Sequence, residues 1–180
     1  MKFTEAQLLA ALRQRHSQPG AAGAGRYAFL THVRTGAAWE QQEMDAIAMA
    51  LWPSEHFDLH GFEVKCSRSD WLREIRPDTS KSQRARDICD TFSIVAPAGL
   101  VRLDELPKGW GLLEARTLRG DVTLRAVAKP ERLTPMPPRG VPRQMSRGLV
   151  VCLLRAAAAV PGMLSGLKRQ AVEAAELGDT

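Results

Sequence analysis

The apolar positions of this chain fall into short blocks separated by polar or Pro/Gly-rich stretches, and each block carries its own period. Leu8, Leu9 and Leu12 share one helical stripe. Thr4 with Gln7 three residues on has the form of a reciprocal capping box, so a helix is expected to open at Glu5 and to end near His16. Residues 18–25 are rich in Pro, Gly and Ala and read as a loop, and Tyr27–Val33 as a strand. Asp45–Trp52 (DAIAMALW) is apolar almost throughout, between Glu40-Gln41-Gln42-Glu43 and Pro53-Ser54. Period alone fits a buried strand or a buried helix there; the stop at Pro53 and the β-rich run close behind predict a strand. That next strand is Leu59–Cys66 (LHGFEVKC), with Gly61 expected to mark a bend.

Ser69, followed by Asp70, is expected to cap a helix that stops at Pro77. A second helix is predicted over Thr79–Cys89, then strands over Thr91–Ala96, Trp110–Ala115 and Val122–Ala128. Five prolines lie in residues 130–142, and from Gln144 the chain is Ala/Leu-rich and helical, broken at Pro161-Gly162. The expected organisation is an α/β domain over residues 1–129, a Pro-rich linker over 130–143 and a C-terminal helical segment over 144–180. A chain of 180 residues suits one domain with a sizeable core.

Composition narrows the function classes only slightly. The net charge of +5 favours an acidic partner such as nucleic acid. No apolar run is long enough for a membrane span, and the opening Met1-Lys2-Phe3-Thr4-Glu5 lacks the apolar core of a secretory signal, so a cytoplasmic protein is expected. Cys66, Cys89 and Cys152 are odd in number and widely spaced, which fits small buried hydrophobes and not a disulfide framework or a CxxC zinc site. No GxSxG, GxGxxG or GxxxxGK[ST] pattern occurs. His16, His32, His56 and His60 lack metal-ligand spacing and are expected at the surface or in loops; Trp39, Trp71 and Trp110 are expected to pack and not to stack on bases.

The chemistry-bearing feature is Asp45 followed by Glu63-Val64-Lys65. Glu63 and Lys65, two apart on a strand, point to one face. A hard cation such as Mg²⁺ takes one or two carboxylates and keeps several waters. Asp45 and Glu63 offer the carboxylates, the Val64 carbonyl a third oxygen, and Lys65 an ammonium beside them that can orient an attacking water and offset charge on a phosphate.

These residues resemble the D…(D/E)xK signature of the PD-(D/E)XK nuclease superfamily. The wider stretch DAIAMALWPS…HGFEVKCSRSDWLREI…CDTFSIVAP…GWGLLEA is similar to a group of phage and bacterial proteins within it. The likeness covers about residues 4–115, and Met44 stands where the family's proline is often found. It implies a restriction-endonuclease-like central mixed β-sheet flanked by helices, with the C-terminal helices as an extension. It further implies a nuclease dependent on Mg²⁺ or Mn²⁺ that hydrolyses DNA phosphodiester bonds, RNA remaining open, with Asp45, Glu63 and Lys65 as its catalytic centre. Glu5 on the first helix matches an acidic residue that often joins the metal, with Glu40 and Glu43 as rivals. Lys81 or Gln83 would touch substrate phosphate, and Arg68, Arg73, Arg76, Arg84 and Arg86 would cradle its backbone. Two alternatives stand beside this reading: a non-catalytic nucleic-acid-binding or protein-interaction module on the same fold, and a partner protein that dimerises through its alanine-rich C-terminal helices.

Overall fold

The protein was analysed as a computed structural model. It describes residues 2–17, 26–34, 43–75 and 88–133, together with Val150, Leu153 and Ala157. The elements in chain order are α1 (Glu5–His16), β1 (Tyr27–Arg34), β2 (Glu43–Ala50), β3 (Leu59–Val64), α2 (Arg68–Glu74), β4 (Thr91–Pro97), β5 (Gly111–Leu118) and β6 (Asp121–Ala128). Short 3-10 turns occupy Pro53–Glu55 and Leu103–Glu105. The strands form one mixed sheet in sequence order, β1 to β6. β1–β2–β3 is an antiparallel meander, β3–β4–β5 are parallel, and β6 returns antiparallel to β5. Helices and a mixed sheet make this an α/β fold.

The sheet is apolar on both faces, which explains why its inner strands read as near-continuous hydrophobic runs. On one face α1 lays Leu8, Leu9 and Leu12 against Phe29, Ala46, Ala48, Phe62 and Val64. The capping box is present: Gln7 N–H donates to Thr4 Oγ1 at 3.3 Å and Thr4 N–H to Gln7 Oε1 at 2.9 Å. The opposite face gathers Ile47, Leu59, Trp71, Phe92, Ile94 and Trp110, with Leu153 and Ala157 packed against it. Trp71 and Trp110 are therefore core residues, as their setting in the sequence predicted. Among the described residues no helix is long and apolar enough to cross a membrane.

Several local expectations are corrected. The strand predicted over Asp45–Trp52 runs two residues earlier, Glu43–Ala50, because Leu51 and Trp52 lead out of the ladder into the turn at Pro53–Glu55. The α2 cap is Ser67 and not Ser69: Ser67 Oγ accepts the Asp70 N–H at 3.2 Å, and the helix closes at Glu74. Gly61 marks no bend. It sits in register between Ile47 and Phe92, and a Cβ there would lie 2.7 Å from Cys89 Sγ and 2.8 Å from Met44 Sδ. Only a residue without a side chain lets the sheet's neighbours close over β3 at that point. His16 and His60, expected at the surface or in loops, are partly buried; His16 stacks on Phe29 with ring centroids 5.7 Å apart. Cys89 is buried, as expected of a small hydrophobe. The loop at residues 18–25, Trp39, the helix predicted over Thr79–Cys89 up to Asp87, Cys152 and nearly all of the C-terminal segment lie outside the described residues.

A candidate active site at the fork between β2 and β3

Asp45 lies where two ladders break. The β2–β3 ladder ends at Ala46↔Phe62, although β2 continues to Glu43 and β3 to Val64, so the two strands part at that point. On the other side, the β1–β2 ladder has Thr31↔Ala46 and Val33↔Met44 but skips the step between them, where His32 adopts a left-handed φ of 53° opposite Asp45. Such a backbone is uncommon for a residue with a side chain. The Val64 N–H, past the last ladder pair, donates to Asp45 Oδ2 at 2.7 Å. Because a strand residue turns its N–H and C=O to the same neighbour, the Val64 carbonyl opens on the same gap.

β3 brings Glu63 and Lys65 beside this gap. The Lys65 N–H donates to the Val95 carbonyl at 2.9 Å, so pairing with β4 holds the residue in line after the strand ends. The pair was expected on a shared strand face; the structure also buries it, with Glu63 4% and Lys65 5% exposed. The Lys65 ammonium donates to Glu63 Oε1 at 3.0 Å and reaches Glu74 Oε2 of α2 at 2.8 Å. Glu74 was not singled out from sequence. The signal was there: it follows Trp71 by three residues, one turn along the same helix face, and Trp71 is fully buried.

The electrostatics follow from this crowding. Burial, then the Glu63 charge, pushes the Asp45 carboxyl up from its ordinary 3.8 to about 6, against the Val64 N–H and the Lys65 charge, which favour the ionised form. Burial would pull the Lys65 ammonium down, but Glu63 and Glu74 outweigh it and hold Lys65 above its ordinary value. Lys65 is thus a protonated, tethered cation. Burial, helped by Glu5, Asp70 and Asp45, raises the Cys66 thiol, which speaks against a thiolate nucleophile here.

The other predicted site residues are scattered. Glu5 is exposed at the start of α1, near enough for its charge to raise the Asp45 carboxyl slightly. Glu43 faces His32, 3.0 Å from its Nδ1. The Arg68 guanidinium is held by Glu105 and by the Leu100 carbonyl, the latter at 3.0 Å, so it braces α2 against the Leu103–Glu105 turn. Arg73 is mostly exposed, with Asp70 as a partner 3.3 Å away. Glu40, Arg76, Lys81, Gln83, Arg84 and Arg86 lie outside the described residues. Among the described residues no three His, Cys, Asp or Glu side chains are grouped to enclose a metal ion.

Comparison with protein-family models, with curated proteins and with solved structures finds no match for this chain. The reading of the site therefore rests on its own chemistry. Lys65 bridges Glu63 of β3 to Glu74 of α2, and the charge of Glu63 in turn reaches Asp45, all in a largely buried setting.

Proposed function

We propose that this chain is a divalent-metal-dependent nuclease of the PD-(D/E)XK type that hydrolyses DNA phosphodiester bonds. The observation that carries the reading is the strand fork itself, where Asp45 accepts the Val64 N–H at 2.7 Å, Lys65 donates to Glu63 at 3.0 Å, and burial with the Glu63 charge raises the Asp45 carboxyl to about 6. The order of elements supports it as well. A helix, a strand bearing Asp45, a strand leading to Glu63-Val64-Lys65, a second helix and a further strand follow one another in the order expected of a restriction-endonuclease-like fold. Leu153 and Ala157, which pack against one face of the sheet, would belong to an extension of that fold.

Asp45, Glu63 and the Val64 carbonyl are the oxygens that would hold Mg²⁺ or Mn²⁺. Two carboxylates and a carbonyl leave coordination positions to water and a substrate phosphate oxygen, the way Mg²⁺ is ordinarily bound. Such an ion, when bound, polarises the phosphate and acidifies a coordinated water. Lys65 keeps its proton between Glu63 and Glu74 and places a fixed positive charge beside the reacting phosphate. There it orients the attacking water and offsets charge that builds up on phosphate oxygens. Glu5, at the rim, adds a further carboxylate to the approach. Arg73, with an exposed guanidinium, is available to a phosphate backbone.

The second reading is a non-catalytic nucleic-acid-binding or protein-interaction module. It is favoured by the ion pairing of Lys65 with Glu63 and Glu74, which would also serve as a purely structural network. Cleavage separates the two. Plasmid, single-stranded DNA and RNA are incubated with the protein in Mg²⁺, Mn²⁺ or EDTA, alongside Glu63→Gln and Lys65→Ala. The expected result is cleavage that needs the cation and falls about 10²–10³-fold in either variant. Wild-type protein that cuts none of these substrates in either metal, or Lys65→Ala protein that cuts at the wild-type rate, overturns the assignment.

A further inference from the structure

The β5–β6 hairpin runs on past the neighbouring strand. The last register pair between β4 and β5 is Pro97↔Ala115, whereas β5 continues to Leu118 in pairs with β6: Arg116↔Thr123, Thr117↔Val122 and Leu118↔Asp121. From Ala115 to its turn this two-stranded arm is roughly 13 Å long. Because β3, β4 and β5 are parallel, the arm leaves the sheet at the end where β3 delivers Val64 and Lys65 to the fork, two strands or roughly 10 Å away. We propose that the arm is a nucleic-acid-binding ribbon that lies in a groove of duplex DNA beside the candidate site, with Arg116, Arg119 and Arg125 on phosphates and Leu118 against base edges. The inference rests on the nucleic-acid partner of the reading above and deepens it, naming the duplex and the surface that takes it.

The arm has two unlike faces. Val122 and Leu124 pack on the α1 side, and Arg15 of α1 donates to the Leu124 carbonyl at 3.3 Å, which seats the arm's base. By the two-residue period Arg116, Leu118, Thr123 and Arg125 fall on the opposite face, the one that also carries α2, Glu63 and Lys65. All four are exposed, and Leu118, at 62%, is the most exposed large hydrophobic residue among those described. Arg116 leans on Glu114 at 3.1 Å, whereas among the described residues no ion pair engages Arg119 or Arg125. Asp121 is the one carboxylate within residues 116–125, so the arm presents mostly positive charge. The turn supplies an independent observation. Arg119 and Gly120 have φ of 53° and 95°, the two left-handed positions of a two-residue hairpin loop. Gly and Asn suit such positions, and arginine at the first of them goes against backbone preference. A guanidinium held at a strained tip serves a contact outside the chain. Cations flanking an exposed apolar side chain match a duplex, whose major groove is about 12 Å wide, admits a two-stranded ribbon, and has phosphate walls and a floor of base edges.

The test uses the full chain in EDTA, so that binding is read apart from cleavage. Fluorescence anisotropy follows a labelled duplex and a labelled single strand of the same sequence over a range of salt. The double variant Arg119→Asn, Arg125→Gln should bind the duplex about 10-fold or more weakly at low salt, with the slope of log affinity against log salt reduced by about 1–2. Its urea midpoint should stay at or above that of wild type, because Asn tolerates the left-handed turn. Leu118→Thr should bind about 3-fold or more weakly with the slope unchanged, since an apolar contact releases no counterions. If the double variant fails to fold, Arg119→Asn alone decides, with a slope reduced by about 1. Wild type that binds no duplex, or prefers the single strand, overturns the inference. So does a double variant within about twofold of wild type at an unchanged slope, or a Leu118→Thr protein that binds like wild type. Variants that keep DNA binding but lose a dimer in sedimentation assign the arm to a second copy of the chain and overturn it too. Duplex binding that depends on the arm, in a protein that cleaves nothing with Mg²⁺ or Mn²⁺, upholds the inference and refutes the nuclease reading. Metal-dependent cleavage by variants that bind and cut like wild type does the reverse.

Discussion

Replacing Asp45 by Asn should make the protein more stable at neutral pH while removing its proposed activity. The Asp45 carboxyl titrates at about 6 in the folded chain against an ordinary 3.8, because burial and the Glu63 charge disfavour its ionised form. A rise of that size corresponds to at most about 3 kcal/mol, and partial solvent access at the fork reduces it to roughly 1.5–3 kcal/mol. The sign is set by linkage. A carboxyl that holds its proton more tightly when folded contributes its full stability below 3.8, loses it as pH rises to about 6, and contributes nothing more above. Asn carries no such titration, and its amide oxygen can still accept the Val64 N–H that Asp45 Oδ2 now receives. Urea unfolding of both proteins in EDTA, at pH 7.5 and pH 4, should show the Asn variant ahead by roughly 1–3 kcal/mol at the higher pH and by little at the lower. An Asn variant less stable than wild type at pH 7.5, or a gap of equal size at both pH values, refutes the claim that Asp45 is held ionised at a cost. Stability gained by removing a charge is the mark of a group kept for function and not for folding.

Two further substitutions probe what supports the site. Gly61→Ala places a methyl group within 2.9 Å of Cys89 Sγ, Met44 Sδ and Phe92 Cδ2, and should cost about 1–3 kcal/mol through overpacking, read as a lowered urea midpoint. A variant as stable as wild type would show that β3 has more room beside β2 and β4 than the structure gives it. Arg132→Met removes the guanidinium that clasps Asp58 at 2.7 Å and the buried Asp90 at 3.2 Å, tying the segment after β6 to the start of β3 and β4. It should cost about 2–3 kcal/mol at pH 7, and an unchanged unfolding free energy would show that the clasp contributes nothing.

What the sequence determined by itself was largely local. The Thr4/Gln7 box placed the start of α1, because capping depends on residues three apart. Among the described residues, the β-rich runs placed the six strands to within a few residues, and the two-residue period put Glu63 and Lys65 on one face. Where a boundary depended on the path of the chain, local signals misled: Ser69 could cap a helix as well as Ser67, and nothing nearby told Gly61's role in close packing from that of a bend. Only the tertiary structure decided that Glu63 and Lys65 are buried, since the two-residue period is the same for a wet face as for one covered by α2. Only it placed Asp45 at the fork, because the parting of β2 from β3 and the left-handed turn at His32 are properties of paired strands. Glu74 became the nearer partner of Lys65 for the same reason. Its position on the Trp71 face could be counted along the helix, but the meeting with Lys65 arises when that helix packs on the sheet, and packing joins residues that the chain keeps apart.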